Sequence, residues 1–112
     1  MQLLPNAELA VIDMKKLIDY VLNVEHEEGK HKAYVFSKVL GVTANDGAEL
    51  KDRILSEIVK TPMVPGKEDK FGKRYSVKFE WTRHNRTATV LTSWIIRTSE
   101  AIPRLTSCYI VD

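Results

Sequence analysis

The chain holds a single cysteine, Cys108, so no internal disulfide can staple it. No apolar run approaches the roughly 18 residues that a membrane-spanning helix needs. The opening Met1-Gln2-Leu3-Leu4-Pro5-Asn6 lacks the basic and apolar segments of a secretory leader. These absences set the expectation of a cytoplasmic protein with no membrane partner. Gly-rich phosphate loops, dinucleotide fingerprints and nucleophile elbows are all missing. His26 and His31 stand five apart beside Glu25, Glu27 and Glu28. Ligands three or four apart would share a helix face and these do not, so neither a metal centre nor a cofactor is expected. Cys108 lies in an apolar strand pattern and reads as a small buried hydrophobe rather than a catalytic thiol.

The 112 residues suffice for one domain, 1–112, with one modest core. The composition, 44% hydrophobic and 29% charged, is that of an ordinary globular protein. The net charge of +2 hides an asymmetry. Residues 1–70 carry 10 basic and 12 acidic side chains, whereas 71–112 carry 7 and 3. A basic C-terminal part suits a polyanion, and equally suits a solvated sheet face.

Hydrophobic spacing predicts three helices. Asp13 is a good N-cap for a first helix through about Asn23, with Met14, Leu17, Ile18, Val21 and Leu22 on one face. Ala10-Val11-Ile12 before it reads as a brief extended segment. Gly29 permits a turn ahead of a second helix, from about Lys30 to Leu40, with Ala33, Phe36, Val39 and Leu40 inward. Gly41 suits the position just past its end. A third helix, about Ala48 to Lys60, ends at Thr61-Pro62. Met63 to Gly72 reads as a charged, mobile loop.

From Lys73 the period changes to two. Tyr75, Val77, Phe79 and Trp81 alternate with polar residues, and a short turn at Arg83-His84-Asn85-Arg86 leads into a strand over Thr87 to Arg97. Both faces of that strand are fairly apolar, which suggests a central position. A last strand, Arg104 to Val111, sets Leu105, Ser107, Tyr109 and Val111 against Arg104, Thr106, Cys108 and Ile110. The expected fold is therefore α+β: three N-terminal helices packed on a C-terminal antiparallel β-meander of three to four strands.

The chemistry-bearing groups are cations and hydroxyls. His31 and Lys32 open the second helix, Arg74 and Tyr75 open the first strand of the meander, Thr92 and Trp94 lie mid-sheet, and Arg104 and Tyr109 lie on the last strand. Imidazole, guanidinium, hydroxyl and phenol together suit metal-free RNA cleavage. A base deprotonates a ribose 2′-OH, cations stabilise the phosphorane charge, and an acid protonates the leaving oxygen. Each residue also has an ordinary structural use. His31-Lys32 can be an exposed helix start, Arg74, Arg97 and Arg104 solvated strand residues, and Tyr75, Trp81 and Trp94 core. Thr92 can be a strand-propensity choice.

Several blocks resemble a small bacterial family known as a domain of unknown function: Leu4-Pro5-Asn6-Ala7 with Ala10-Val11-Ile12-Asp13 and Lys16-Leu17, Gly29-Lys30-His31-Lys32-Ala33 with Phe36 and Leu40-Gly41, Gly72-Lys73-Arg74-Tyr75 with Val77, Val90-Leu91-Thr92-Ser93-Trp94-Ile95-Ile96, and Pro103 to Tyr109. Members of that family stand alone or form C-terminal modules of phage-head and secreted-toxin polypeptides. The layout is similar to the barnase–EndoU–colicin–RelE superfamily of metal-independent ribonuclease toxins. The resemblance implies a catalytic set of His31, Lys32, Thr92, Arg104 and Tyr109, with Tyr75 also at the site. The expected substrate contacts are Arg74, Tyr75 and Trp94. RNA and a small antitoxin or immunity protein are the implied partners. The alternative is a non-enzymatic interaction module, paired with a neighbouring-gene protein through a sheet edge or a helix stripe.

Overall fold

The computed structural model describes residues 2–111. A 3-10 turn, Ala7–Leu9, precedes the first helix, α1, which is one α turn (Met14–Lys16) that widens into a π turn (Leu17–Val21). The second helix, α2, repeats that form, with an α segment Lys30–Val35 and a π turn Phe36–Leu40. A 3-10 turn, Ala44–Asp46, leads into α3, Gly47–Ile58. Four strands follow: β1 (Val64–Asp69), β2 (Gly72–Arg83), β3 (Arg86–Arg97) and β4 (Arg104–Val111). They form one antiparallel sheet in the order β1-β2-β3-β4. None of the described helices is long and apolar enough to cross a membrane.

Local chemistry accounts for the helix ends. The Asp13 carboxylate accepts the Lys15 N–H at 2.9 Å, which satisfies one of the free amides of the first turn. Gly41 ends α2 at φ 67°, a left-handed cap. Gly29 lies in the turn before α2, as expected, but space rather than conformation calls for glycine there. Its φ is −96°, open to any residue, but a Cβ there would lie 2.8 Å from the Tyr20 carbonyl oxygen. Its value is close packing of the start of α2 on the end of α1.

The helices cover one face of the sheet. Leu17, Phe36, Leu40, Leu50, Ile54 and Ile58 meet Val77, Phe79, Trp81, Val90 and Trp94 in one continuous buried cluster. Burying each of the larger side chains contributes about 1.5–3 kcal/mol.

The β2–β3 connection is a two-residue turn. His84 and Asn85 both have positive φ, 52° and 64°, as a type I′ hairpin requires. Arg83, just before it, ties the layers together. Its Nε and Nη2 donate to the two Glu49 carboxylate oxygens at 2.9 Å, and Nη1 donates to the carbonyls of Leu40 at 2.8 Å and Gly41 at 3.0 Å. These bonds hold the Glu49 carboxyl below its ordinary value near 4.5. A carboxyl with a depressed folded-state pKa stabilises the fold above its unfolded value and loses that contribution as pH falls through the folded one. Arg83→Met should cost about 1–3 kcal/mol at neutral pH, chiefly through the Leu40 and Gly41 carbonyls that lose their donor, because the half-exposed Glu49 pair is screened by solvent and adds little. It should also flatten the fall in melting temperature between pH 5 and 3. Thermal melts across that range check both, and an unchanged acid limb would count against the Arg83–Glu49 clamp.

Two features differ from the expected pattern. Met63 to Gly72 is no loop: β1 occupies Val64–Asp69 as an edge strand paired with β2. Its first five residues are exposed, so it has no buried face and no alternation to read. The second difference lies in β4. Ser107 pairs with Ser93 but Leu105 with Trp94, so Thr106 is an extra, bulged residue. Beyond the bulge the faces swap. Leu105 joins Cys108 and Ile110 on the helix side, and Arg104 joins Ser107, Tyr109 and Val111 on the other. Strict alternation along β4 predicted the opposite grouping at its start.

Candidate active site on the open sheet face

Side chains of paired residues in an antiparallel ladder project to the same side, so the register sorts the candidate residues by face. Thr92 and Trp94 belong to the helix side and are fully buried. The Thr92 hydroxyl donates to the Val77 carbonyl at 2.9 Å and accepts the Trp94 indole N–H at 2.8 Å. Its hydrogen-bonding capacity serves the core, and neither side chain is exposed at the surface. Tyr75 also points to the helix side, where it packs partly buried against the core. It lines a wide cavity of about 670 Å³ at the end of the sheet, with Lys73, Ile96 and Thr98 among its neighbours. Arg74 and Tyr75, adjacent in sequence, thus face opposite ways.

The open face is organised in rows across β2, β3 and β4. One row is Arg74–Ile95–Arg104, the next is Ser76–Ser93–Ser107, and the third is Lys78–Leu91–Tyr109. Strands lie about 4.8 Å apart, so the two arginines begin about 10 Å from each other, on either side of Ile95. Each is steadied by a carboxylate. Arg74 meets Asp69 at 3.4 Å, and Arg104 grips Glu100 with two bonds, 2.9 and 3.2 Å. The Phe71 backbone N–H, assisted by the charge of Arg74, holds the Asp69 carboxyl below its usual range. The hydrogen bond from Arg104 does the same for Glu100.

The start of α2 reaches this face at the β4 edge. Lys32 Nζ lies 4.2 Å from the centre of the Tyr109 ring, a cation–π contact. His31, one residue earlier, is exposed. His26 acts locally. Its Nδ1 accepts the N–H groups of Glu28 at 3.1 Å and Gly29 at 3.0 Å, and its ring meets Tyr20 edge to face. Together these contacts shape the bend that delivers His31 and Lys32. Among the described residues, no three His, Cys, Asp or Glu side chains are grouped as metal ligands. Cys108 is 1% exposed and burial pushes its thiol pKa up, so it behaves as the small core hydrophobe that its strand pattern suggests.

Of the eight candidates, Lys32, Tyr109, Arg104 and Arg74 therefore share the open face or its rim, with His31 beside them in sequence. Thr92, Trp94 and Tyr75 lie on the other side. The group is spread out: Arg104 and Tyr109 are five residues apart on one strand, about 15 Å at the usual rise. One feature of the face escaped sequence reading, the serine row. Ser76 and Ser93 sit equally far from the two-residue turn, which is a readable signal. The place of Ser107 depends on the β4 bulge and is not.

Neither a curated protein nor a solved structure matches the chain. A family model described as "Domain of unknown function (DUF6883)" matches residues 3–112. That span takes in all three helices, the four strands and every candidate residue, and the chain belongs to this family of unknown function.

Proposed function

We propose that the chain is a metal-independent, ribonuclease-like protein that engages RNA on the open face of its sheet. The carrying observation is the contact of Lys32 with Tyr109, which joins the His31–Lys32 turn to a face bearing Arg74, Arg104 and Lys78. In this reading His31 serves as general base or acid, the task for which histidine is most often used. Lys32 offsets charge on the phosphorane, and the Tyr109 phenol orients or protonates an oxygen. Arg104 and Arg74 lie too far along the sheet to reach the phosphorus beside Lys32 and Tyr109, and hold a neighbouring phosphate instead. Thr92 takes no part.

The experiment is incubation of purified protein with RNA, with and without His31→Ala. A 2′,3′-cyclic phosphate product is expected from the wild type, with the rate reduced about 10²–10⁴-fold in the variant. No such product from the wild type, or equal cleavage by both, would sink the reading.

The rival reading, a protein-interaction module that adds a strand at a sheet edge, has less to support it. β1 carries Pro65, a one-residue bulge between Pro65 and Glu68, and the charged Lys67-Glu68-Asp69. At the other edge, β4 is bridged by Val11 at Arg104, and Lys16 Nζ donates to the Thr106 carbonyl at 3.3 Å. Proline, bulges, charge and covering segments are the usual means of blunting an edge. A stoichiometric partner co-purifying with an RNA-inactive wild type would revive it.

A further inference from the structure

We propose that the open face contains a seat for one phosphate group, built from the hydroxyls of Ser76, Ser93 and Thr106 beside the Arg74 guanidinium, with Arg104 closing the other flank. This rests on the RNA reading above and adds residues outside the His31–Lys32–Tyr109 cluster.

Three observations converge on it. The first is the supply of donors. Among the strand threonines, Thr82 bonds Thr87 and Thr92 bonds Val77, whereas the Thr89 hydroxyl has no protein partner among the described residues. Ser76, Ser93 and Ser107 form one cross-strand row; the three residues are half-buried, and their hydroxyls have no protein partner among the described residues and stay open to solvent. A serine hydroxyl left without a protein partner at such a depth is a donor available to a ligand.

The second is the β4 bulge. Thr106 is the extra residue, released from the alternation of its strand. It lines a cavity of about 220 Å³ together with Gly66, Arg74, Ser76 and Ser93. Lys16, reaching from the first helix, holds the Thr106 carbonyl at the free edge of the strand. Bulges commonly re-aim a side chain beside a site. Here the bulge brings a further hydroxyl to the end of the serine row. On the opposite rim, the β1 bulge brings Gly66 against Arg74, where a Cβ would lie 3.3 Å from the Arg74 carbonyl oxygen.

The third is the incomplete use of the arginines. Arg74 meets Asp69 through Nη2 alone, and Arg104 meets Glu100 through Nε and Nη2. A guanidinium carries five N–H donors in a fixed fork. The carboxylates therefore orient the forks and leave Nε and Nη1 of Arg74, and Nη1 of Arg104, for another acceptor. A tetrahedral oxyanion accepts on every side and matches a ring of hydroxyl and guanidinium donors. A neutral apolar ligand has nothing to match there. The shared ligand chemistry is a phosphate oxyanion, either free or within an RNA chain.

The test is a titration of the full ¹⁵N-labelled chain, first with inorganic phosphate and then with a ribodinucleotide monophosphate, followed by amide shifts. Saturable shifts at Ser76, Ser93 and Thr106 are expected with both probes. Ser76→Ala/Ser93→Ala and, separately, Arg74→Gln should weaken binding about tenfold or more, with dispersed spectra showing that the variants remain folded. His31→Ala should bind phosphate as the wild type does. Saturable shifts in a wild type that cleaves no RNA would reject the chemistry proposed above and keep the seat. Saturation by phosphate without the dinucleotide would keep the seat and assign it to a free anion. No saturable shift with either probe, or unchanged affinity in both variants, would overturn it.

Discussion

Gly72→Ala is expected to lower stability by about 3–4 kcal/mol and the melting temperature by on the order of 10–15 °C. Gly72 has φ 147°, a backbone region that L side chains rarely adopt. Space is lacking as well. A Cβ at this position would be driven into the Ile96 carbonyl oxygen and would lie 2.8 Å from Arg97 Cα, both backbone atoms of a paired strand that cannot swing aside. Gly72 pairs with Asp69 in β1 and Arg97 in β3. Strain there is felt by three strands at once. Gly66→Ala is the control. Its φ is not positive and its nearest neighbour would lie 3.3 Å away, so it should cost under about 1 kcal/mol. Urea unfolding of both variants decides the matter. Equal, small losses would mean that the β1–β2 turn rearranges freely around a side chain.

Trp94→Ala should cost about 3–5 kcal/mol, as expected for emptying the space of a large aromatic in a closed core. Trp94 is 0% exposed and among the largest fully buried side chains. Its companion variant, Thr92→Val, tests the bond between them. Valine keeps the shape but accepts nothing, so the Trp94 indole N–H and the second bond to Val77 are lost together. The expected loss is about 1–3 kcal/mol. Thr92→Ser retains both bonds and should cost about 1 kcal/mol for its missing methyl. The activity measurement separates a structural from a catalytic threonine. If Thr92 belongs to the core, RNA cleavage per folded molecule is unchanged in Thr92→Val. An activity drop of two orders of magnitude with unchanged unfolding would return Thr92 to the site.

Thr92 also shows how much of the site could be read in advance. The resemblance implied a catalytic hydroxyl there, and alternation along the strand correctly grouped Thr92 with Val90 and Trp94. Which face the helices cover follows from long-range packing, and that packing put Thr92 beneath the sheet. Arg74 and Tyr75 are parted by the same cause: neighbours on a strand face opposite ways, and one face is core. Lys32 and Tyr109, in contrast, were named from different elements and do meet, because the His26 turn and the close packing at Gly29 set the start of α2 against β4.

The local features were all readable in the chain itself. Helix faces, the Asp13 and Gly41 caps, the Arg83–Arg86 turn and the alternation of β2 and β3 depend on residues within a few positions of one another. Propensity, capping and turn chemistry act at that range. The β1 strand, the Thr106 bulge, the serine row and the burial of Thr92 were decided by pairing and packing between distant segments. β1 is ordered by its hydrogen bonds to β2, since it has no buried face to mark it. A one-residue bulge reverses which side chains share a face, and no pattern within β4 announces it. The open face, with Lys32 over Tyr109 at one end and the arginines at the other, is a product of that register.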